Sequence, residues 1–227
     1  KKWNYDSEII GIDIPVVAVM GIGQNVQKFD LQLYLRSRFI DKGYKVSQIG
    51  TKKISGLFGL HPLPDFLFNT QYSDVDKVYA FNRVMKDVSM QEKPDVILLG
   101  IPDSLLPLNN KHRFSFGLYA YEIFNAVQPD FVITSLMAND GYNDEFYSEI
   151  SKMAKYKYNV NIDAYFVSQF CPLSNSIWSE KLSYVYLPRM ELPKTEYKVY
   201  TTSDLNNDIL FKQAEKKLLL YGKYEQY

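Results

Sequence analysis

Little in this sequence can staple, span or ligate. One cysteine, Cys171, stands among 227 residues, so no disulfide can close within the chain, which fits a reducing, cytoplasmic compartment. Its expected role is that of a small buried hydrophobe rather than a reactive thiol. The two histidines, His61 and His112, have no cysteine or histidine at metal-ligand spacing, so no metal site is expected. No apolar run approaches the roughly 20 residues that span a bilayer. Net charge is absent too: Lys+Arg and Asp+Glu cancel at 26 each, leaving no global field to draw nucleic acid or an anionic membrane. A Gly-x-Ser-x-Gly elbow, a cysteine–histidine signature and a basic amphipathic helix are all missing. The chain opens on Lys1, Lys2 and Trp3 without an initiator Met or an apolar signal core. Residues 1–14 are therefore expected to lead in from an upstream domain of a longer protein. Lys far outnumbers Arg, and Tyr, Asn and Ile are abundant, as in an AT-rich bacterial genome.

What is present is a rhythm. Short apolar runs alternate with helically spaced segments, the signature of βαβ units around a mostly parallel sheet. Runs at 15–20, 44–49, 95–99, 130–136 and 162–167 read as strands. The runs at 15–20 and 95–99 each end in glycine (Gly21 and Gly100), and their continuous apolarity suits strands buried on both faces. Segments 31–40, 74–88, 116–127 and 143–157 read as helices, the first stopped by Asp41, Lys42 and Gly43. Right-handed crossovers then predict an α/β three-layer sandwich over 15–170. Two stretches break the rhythm. Residues 50–72 alternate Gly and Pro with Leu and Phe, predicting an apolar loop that serves as a lid or contact surface. Residues 172–202 read as irregular, followed by a helix over about 205–220 packed on the same domain.

A strand that ends in glycine and passes through a polar loop into a helix is where α/β sheets bind phosphates, because loop amides and the helix N-terminus face the ligand. Here that segment holds Gly21, Gly23, Gln24, Gln27, Lys28 and Asp30. A working loop wants a second glycine before the lysine and a Ser or Thr after it for Mg²⁺. Gln27 has a Cβ, so a positive φ there costs about 1 kcal/mol. Asp30 suits a helix N-terminus but repels a phosphate, although it could itself ligate Mg²⁺. Two readings stand at this point: a phosphate cradle with Lys28, or a tight strand-to-helix turn with a solvated lysine.

The segment Gly21 to Lys28 with Leu31, Gln32 and Leu33 resembles bacterial peptide maturation system proteins, which sit beside genes for small modified ribosomal (bacteriocin-like) peptides. Their loop runs Gly-Thr-Ser-Ser-x-x-Gly-Lys-Phe-Thr-Leu-Gln-Leu. The likeness continues through Gly43 to Thr51 and Leu57 to Gly59, and resumes from Phe116 to Asp130. Those proteins are similar in turn to a wider P-loop family that includes D-amino-acid N-acetyltransferases. There a strand ends in Glu-Gly-Gln-Gly-Ser-Leu before a His-Pro-x-x-Ser-Gly helix start. Ser104, His112 and Gly117 match those patterns, but Gly100 stands where the acid belongs, Gln27 where the second glycine belongs, and Asp30 where the threonine belongs.

The resemblance implies a P-loop NTPase-like fold whose loop has lost its Mg²⁺ and water-polarising groups. It implies an accessory protein of peptide maturation, binding a partner protein or precursor peptide. Its cofactor would be ATP or GTP with Mg²⁺, or a CoA phosphate on Lys28. The competing expectation is an active NTP- or acyl-CoA-dependent transferase or NTPase using Lys28; a homo-oligomeric structural module is the third.

Three further candidates follow. His112, with Lys111 and Arg113, lies on a polar loop at the expected ligand edge and either contacts phosphate or is simply solvated. Asp103 either replaces the missing acid or caps the loop. Asn139 or Asp140, in a turn after the 130–136 strand, could meet a base edge. The 19 Tyr and 14 Phe are expected in core and interface packing rather than base stacking, since Arg is scarce.

Overall fold

The computed structural model describes residues 8–51, 53–188 and 190–221; the first half of the expected lead-in, 1–7, lies outside them. Strand β1 (Val16–Ile22) is buried along almost its whole length, as its unbroken apolar run requires. It leads into α1 (Lys28–Asp41) and β2 (Val46–Gly50). After β3 (His61–Pro62) come α2 (Asp74–Glu92) and β4 (Val96–Gly100). Then follow α3 (Leu118–Ala126), β5 (Phe131–Leu136), α4 (Asp144–Tyr158) and β6 (Ala164–Val167). A short ribbon, β7 (Phe170–Pro172) with β8 (Tyr184–Tyr186), precedes β9 (Val199–Tyr200), α5 (Thr202–Leu205) and α6 (Ile209–Tyr221).

Seven strands form one parallel sheet in the order β3-β2-β4-β1-β5-β6-β9. Helices cover both faces, giving the three-layer α/β sandwich of P-loop NTPase-like folds. One face packs Val17, Leu98, Ile133 and Phe166 under Leu31, Leu35 and Phe39 of α1 and Leu210 and Phe211 of α6. The other packs Ala18, Met20, Leu99 and Val132 under Phe81 of α2, Phe124 of α3 and Ala154 of α4. Leu35 is fully buried; truncating such a residue to alanine typically costs about 2–5 kcal/mol. Side chains cap α2 and α4: Ser73 Oγ accepts from the Asp76 amide at 3.1 Å and Asn143 Oδ1 from the Phe146 amide at 2.9 Å.

The two stretches that break the rhythm each contain short regular elements. Residues 50–72 fold into 3₁₀ turns at Lys53–Phe58 and Asp65–Phe68, with β3 between them extending the sheet. Leu60, Leu63 and Leu67 turn inward while Leu57 and Phe58 stay exposed, so spacing that looked loop-like is one side of a packed turn. Residues 172–202 supply β8 and β9, and β9 adds the seventh strand by pairing with β6. The sheet thus runs beyond residue 170. The C-terminal helix is broken, because Asp208 adopts φ +56° between α5 and α6. Cys171 is half-buried in the ribbon rather than buried in the core.

Candidate functional site

β1 lies at the sheet's centre, between β4 and β5. Its neighbours are reached by crossovers running in opposite directions, so the crevice where open α/β sheets bind ligands lies at its C-terminal end. The 23–27 loop occupies that crevice. Gly23, Asn25 and Gln27 adopt positive φ (118°, 54° and 56°), whereas Gln24 and Val26 between them do not. Alternation of positive and negative φ is the backbone path by which loops can turn successive amides toward one side. Gln27 is the residue before α1, and it offers the helix no side-chain cap. The Cβ-bearing Gln27 holds this conformation with help: its Oε1 accepts from the Gln169 amide at 2.7 Å. Ser135 Oγ donates to the Val26 carbonyl and pins the loop from β5. Gly21 must be glycine, since a Cβ there would lie 2.8 Å from Val26 and 2.9 Å from Lys28.

Lys28 is not solvated; it retains 9% of its exposure. Its Nζ donates to the Asp103 carbonyl. Burial pushes its pKa down to about 8, partly opposed by the Asp103 carboxylate. Asp103 is the hub that sequence reasoning left undecided. It sits at φ +58°, its Oδ2 accepts from the Ser115 amide at 2.7 Å, and its Oδ1 from Gln24 Nε2 at 3.3 Å. It caps the loop before α3 while holding Lys28 and Gln24 in place. Ser104 is buried, and its Oγ accepts from the Gly23 amide at 2.7 Å and donates to the Leu106 carbonyl at 2.7 Å. It supports the loop from behind and withdraws the Gly23 amide from any ligand.

Three clefts surround the loop, with Asn25 lining each. One, about 310 Å³, runs from Gln27, Lys28 and Asp30 to Phe170 and Tyr184 of the ribbon. A second, about 570 Å³, lies on the Asp103 side, against Leu63, Phe68 and Tyr119. The third holds Lys111, His112, Arg113 and Lys181 with Glu180. Gly21, Gly23, Gln24, Gln27, Lys28 and Ser104 are thus brought together. His112 faces the loop only across the third cleft. Asp140 stands apart, in a cleft with Asn139, Cys171 and Met190 that no loop residue lines.

The phosphate half of the group implied by the resemblance fits this cradle. The Mg²⁺ half does not. Phe29, at the position after Lys28, packs its ring 6.1 Å from that of Phe58 and offers no hydroxyl. At the end of β4, a Cβ on Gly100 would meet Gln32 Nε2 at 2.1 Å, so an amide fills the acid's space. Asp30 and Asp103 line different clefts on opposite sides of the loop. Among the described residues no three His, Cys, Asp or Glu side chains cluster as a metal site. Gln32 is buried with both amide atoms unpartnered; nothing in the sequence signalled that, because α1 meets the end of β4, far along the chain, only in the folded structure. Phe170 and Tyr184 were missed as well. The strands that carry them are only three residues long, too short for a periodic signal.

No family model matches the chain, and no curated protein matches it significantly. Solved structures do. A DUF1611 family protein from Anabaena variabilis aligns at 13% identity with a TM-score of 0.52, covering 69% of this chain and 46% of that one. The chain thus spans about half the length of that relative. Cobyrinic acid a,c-diamide synthase from Mycobacterium smegmatis, described with bound ADP and magnesium, aligns at 16% identity and TM-score 0.49, covering 94% of this chain and 97% of that one. A MobB homologue from Bacillus stearothermophilus aligns at 12% and 0.39, covering 90% and 98%. At these identities the likeness concerns the fold alone. This chain has a P-loop NTPase-like three-layer fold.

Proposed function

We propose that the loop from Gly23 to Lys28 binds the phosphates of a nucleotide-like ligand, without Mg²⁺-dependent turnover. The chain would thereby serve as a cytoplasmic accessory protein of peptide maturation, holding a partner or precursor peptide. The observation that carries the phosphate reading is the alternation of φ through Gly23, Asn25 and Gln27. Two of the three positions are not glycine, and backbone strain of about 1–2 kcal/mol per residue persists where the surroundings enforce it, characteristically at ligand clamps. Lys28 adds a cation at the same mouth. The accessory role rests on the resemblance of 21–33, 43–51, 57–59 and 116–130 to peptide maturation proteins, together with the replacement of that family's glycine, threonine and acid by Gln27, Asp30 and Gly100.

Titration calorimetry with pyrophosphate, ATP and GTP, in Mg²⁺ and in EDTA, tests this. Binding is expected in both buffers, with Lys28→Ala weakening it at least tenfold, in line with the loss of a charge-assisted phosphate contact. Absence of binding by all three ligands would overturn the phosphate reading. Steady hydrolysis or transfer that vanishes in Lys28→Ala would overturn the non-catalytic one.

A further inference from the structure

The ribbon formed by β7 and β8 is built onto the phosphate loop. The Gln169 amide, one residue before β7, donates to Gln27 Oε1 at 2.7 Å. The Leu187 amide returns to the Gln169 carbonyl at 2.8 Å, and the Ala138 amide donates to the Phe170 carbonyl at 2.8 Å. The ribbon is thereby fixed against both the loop and the end of β5. From this position it contributes two half-buried rings, Phe170 and Tyr184, to the cleft whose other wall is Asn25 to Asp30. Tyr186 packs against Phe170 within the ribbon, with ring centroids 5.6 Å apart and ring planes tilted by 58°. Burial raises the Tyr184 phenol above its ordinary value, which leaves it neutral beside any phosphate. A cleft of about 310 Å³ is at the small end of ligand sites. It suits one nucleoside better than a peptide segment.

We propose that this cleft is a ring-binding subsite, in which Phe170 and Tyr184 stack on the base of a nucleotide whose phosphates lie in the Gly23–Lys28 loop. The subsite rests on the phosphate reading and names its ligand: an aromatic base joined to a diphosphate. Stacking uses the π-face that every base has, so no hydrogen-bonding side chain need read the base edge. Asp140, in a separate cleft, takes no part.

Calorimetry with ADP and with pyrophosphate, on the native chain and on a Phe170→Leu/Tyr184→Leu double variant, tests the subsite. Native protein should bind ADP more tightly than pyrophosphate. The double variant should lose about five- to 150-fold in ADP affinity, the range for removing a stacked aromatic partner, and keep its pyrophosphate affinity. Retained pyrophosphate binding also reports that the variant is folded. Equal affinities for ADP and pyrophosphate in native protein would overturn the subsite and leave the phosphate reading intact. A loss of ADP affinity in Phe68→Leu instead of the double variant would move the ring to the Asp103-side cleft and overturn it equally. If neither ligand binds native protein, both readings fall.

Discussion

The two edges of the central sheet are built in opposite ways. At the edge where the strands begin, aspartates just before three strands accept amides from neighbouring strands. Asp130 takes the Val16 amide at 2.7 Å, Asp163 the Val132 amide at 2.9 Å, and Asp95 the Lys45 amide at 2.7 Å. Lys217 closes on Asp163 at 2.7 Å. None of these aspartates has a positive φ. At the edge where the strands end, Gln27 and Asp103 carry positive φ, Lys28 is buried with a depressed pKa, and the amide of Gln32 has no partner. The first edge spends its polar groups on the fold. Left-handed residues occur at both edges, since Lys93 and Asn159 precede β4 and β6; what sets the second apart is a buried lysine and a buried amide without a partner.

The contrast can be broken most severely at Gly100. Gly100→Asp restores the acid that related loops place there, but its Cβ meets Gln32 Nε2 at 2.1 Å and Thr51 Cγ2 at 2.5 Å. Urea unfolding should show a loss of about 3 kcal/mol from overpacking, and Gln32→Ala should recover much of it. A fully stable Gly100→Asp protein would show that Gln32 does not occupy that space. Asp163→Ala comes next. It removes a buried acceptor and the Lys217 partner, so a loss of about 2 kcal/mol is expected, with pyrophosphate affinity unchanged. A comparable fall in affinity would mean that the two edges are not independent.

Lys28 sharpens the comparison through pH. Its folded pKa, about 8, lies below its ordinary 10.5, so the unfolded chain binds the proton more readily. The penalty of burying the charge is present in full below about pH 8 and is relieved as pH rises toward the unfolded value. Lys28→Met should therefore be more stable than native protein near neutral pH, with the difference shrinking in alkaline urea titrations. Native pyrophosphate affinity should fall as pH climbs through about 8 and the ammonium charge is lost. A pH-independent affinity would remove Lys28 from the site. The smallest effect is expected for Asn25→Gly, which relieves a φ of +54°. Its melting temperature should rise slightly, for a gain of some tenths of a kcal/mol, and the loop should still bind. A loss of binding would give the Asn25 side chain a role in the cradle.

Much of the scaffold was legible along the chain. Continuous apolar runs ending in glycine identify β1 and β4, and alternation with helical spacing calls for parallel crossovers. The loop's place after β1 follows from Gly21 and Gly23. The ribbon and β9 were not legible, because strands of two or three residues carry too little periodicity to stand out from irregular chain. Residues 50–72 misled for a related reason: glycines and prolines signal turns, but they do not say whether the leucines between them point inward.

What the sequence alone determined is therefore the strand-loop-helix corner, the lysine in it, and the residues that stand in place of the usual glycine, threonine and acid. These depend on neighbours within a few positions, where backbone preference and hydrophobic period operate. Only the tertiary structure decided that Lys28 is buried against Asp103, that Gln32 fills the space above Gly100, and that Gln27 survives its left-handed turn by holding the Gln169 amide. Each joins elements far apart in sequence, or layers stacked across the sheet. Their geometry is set by packing of the whole sandwich, which no local pattern encodes.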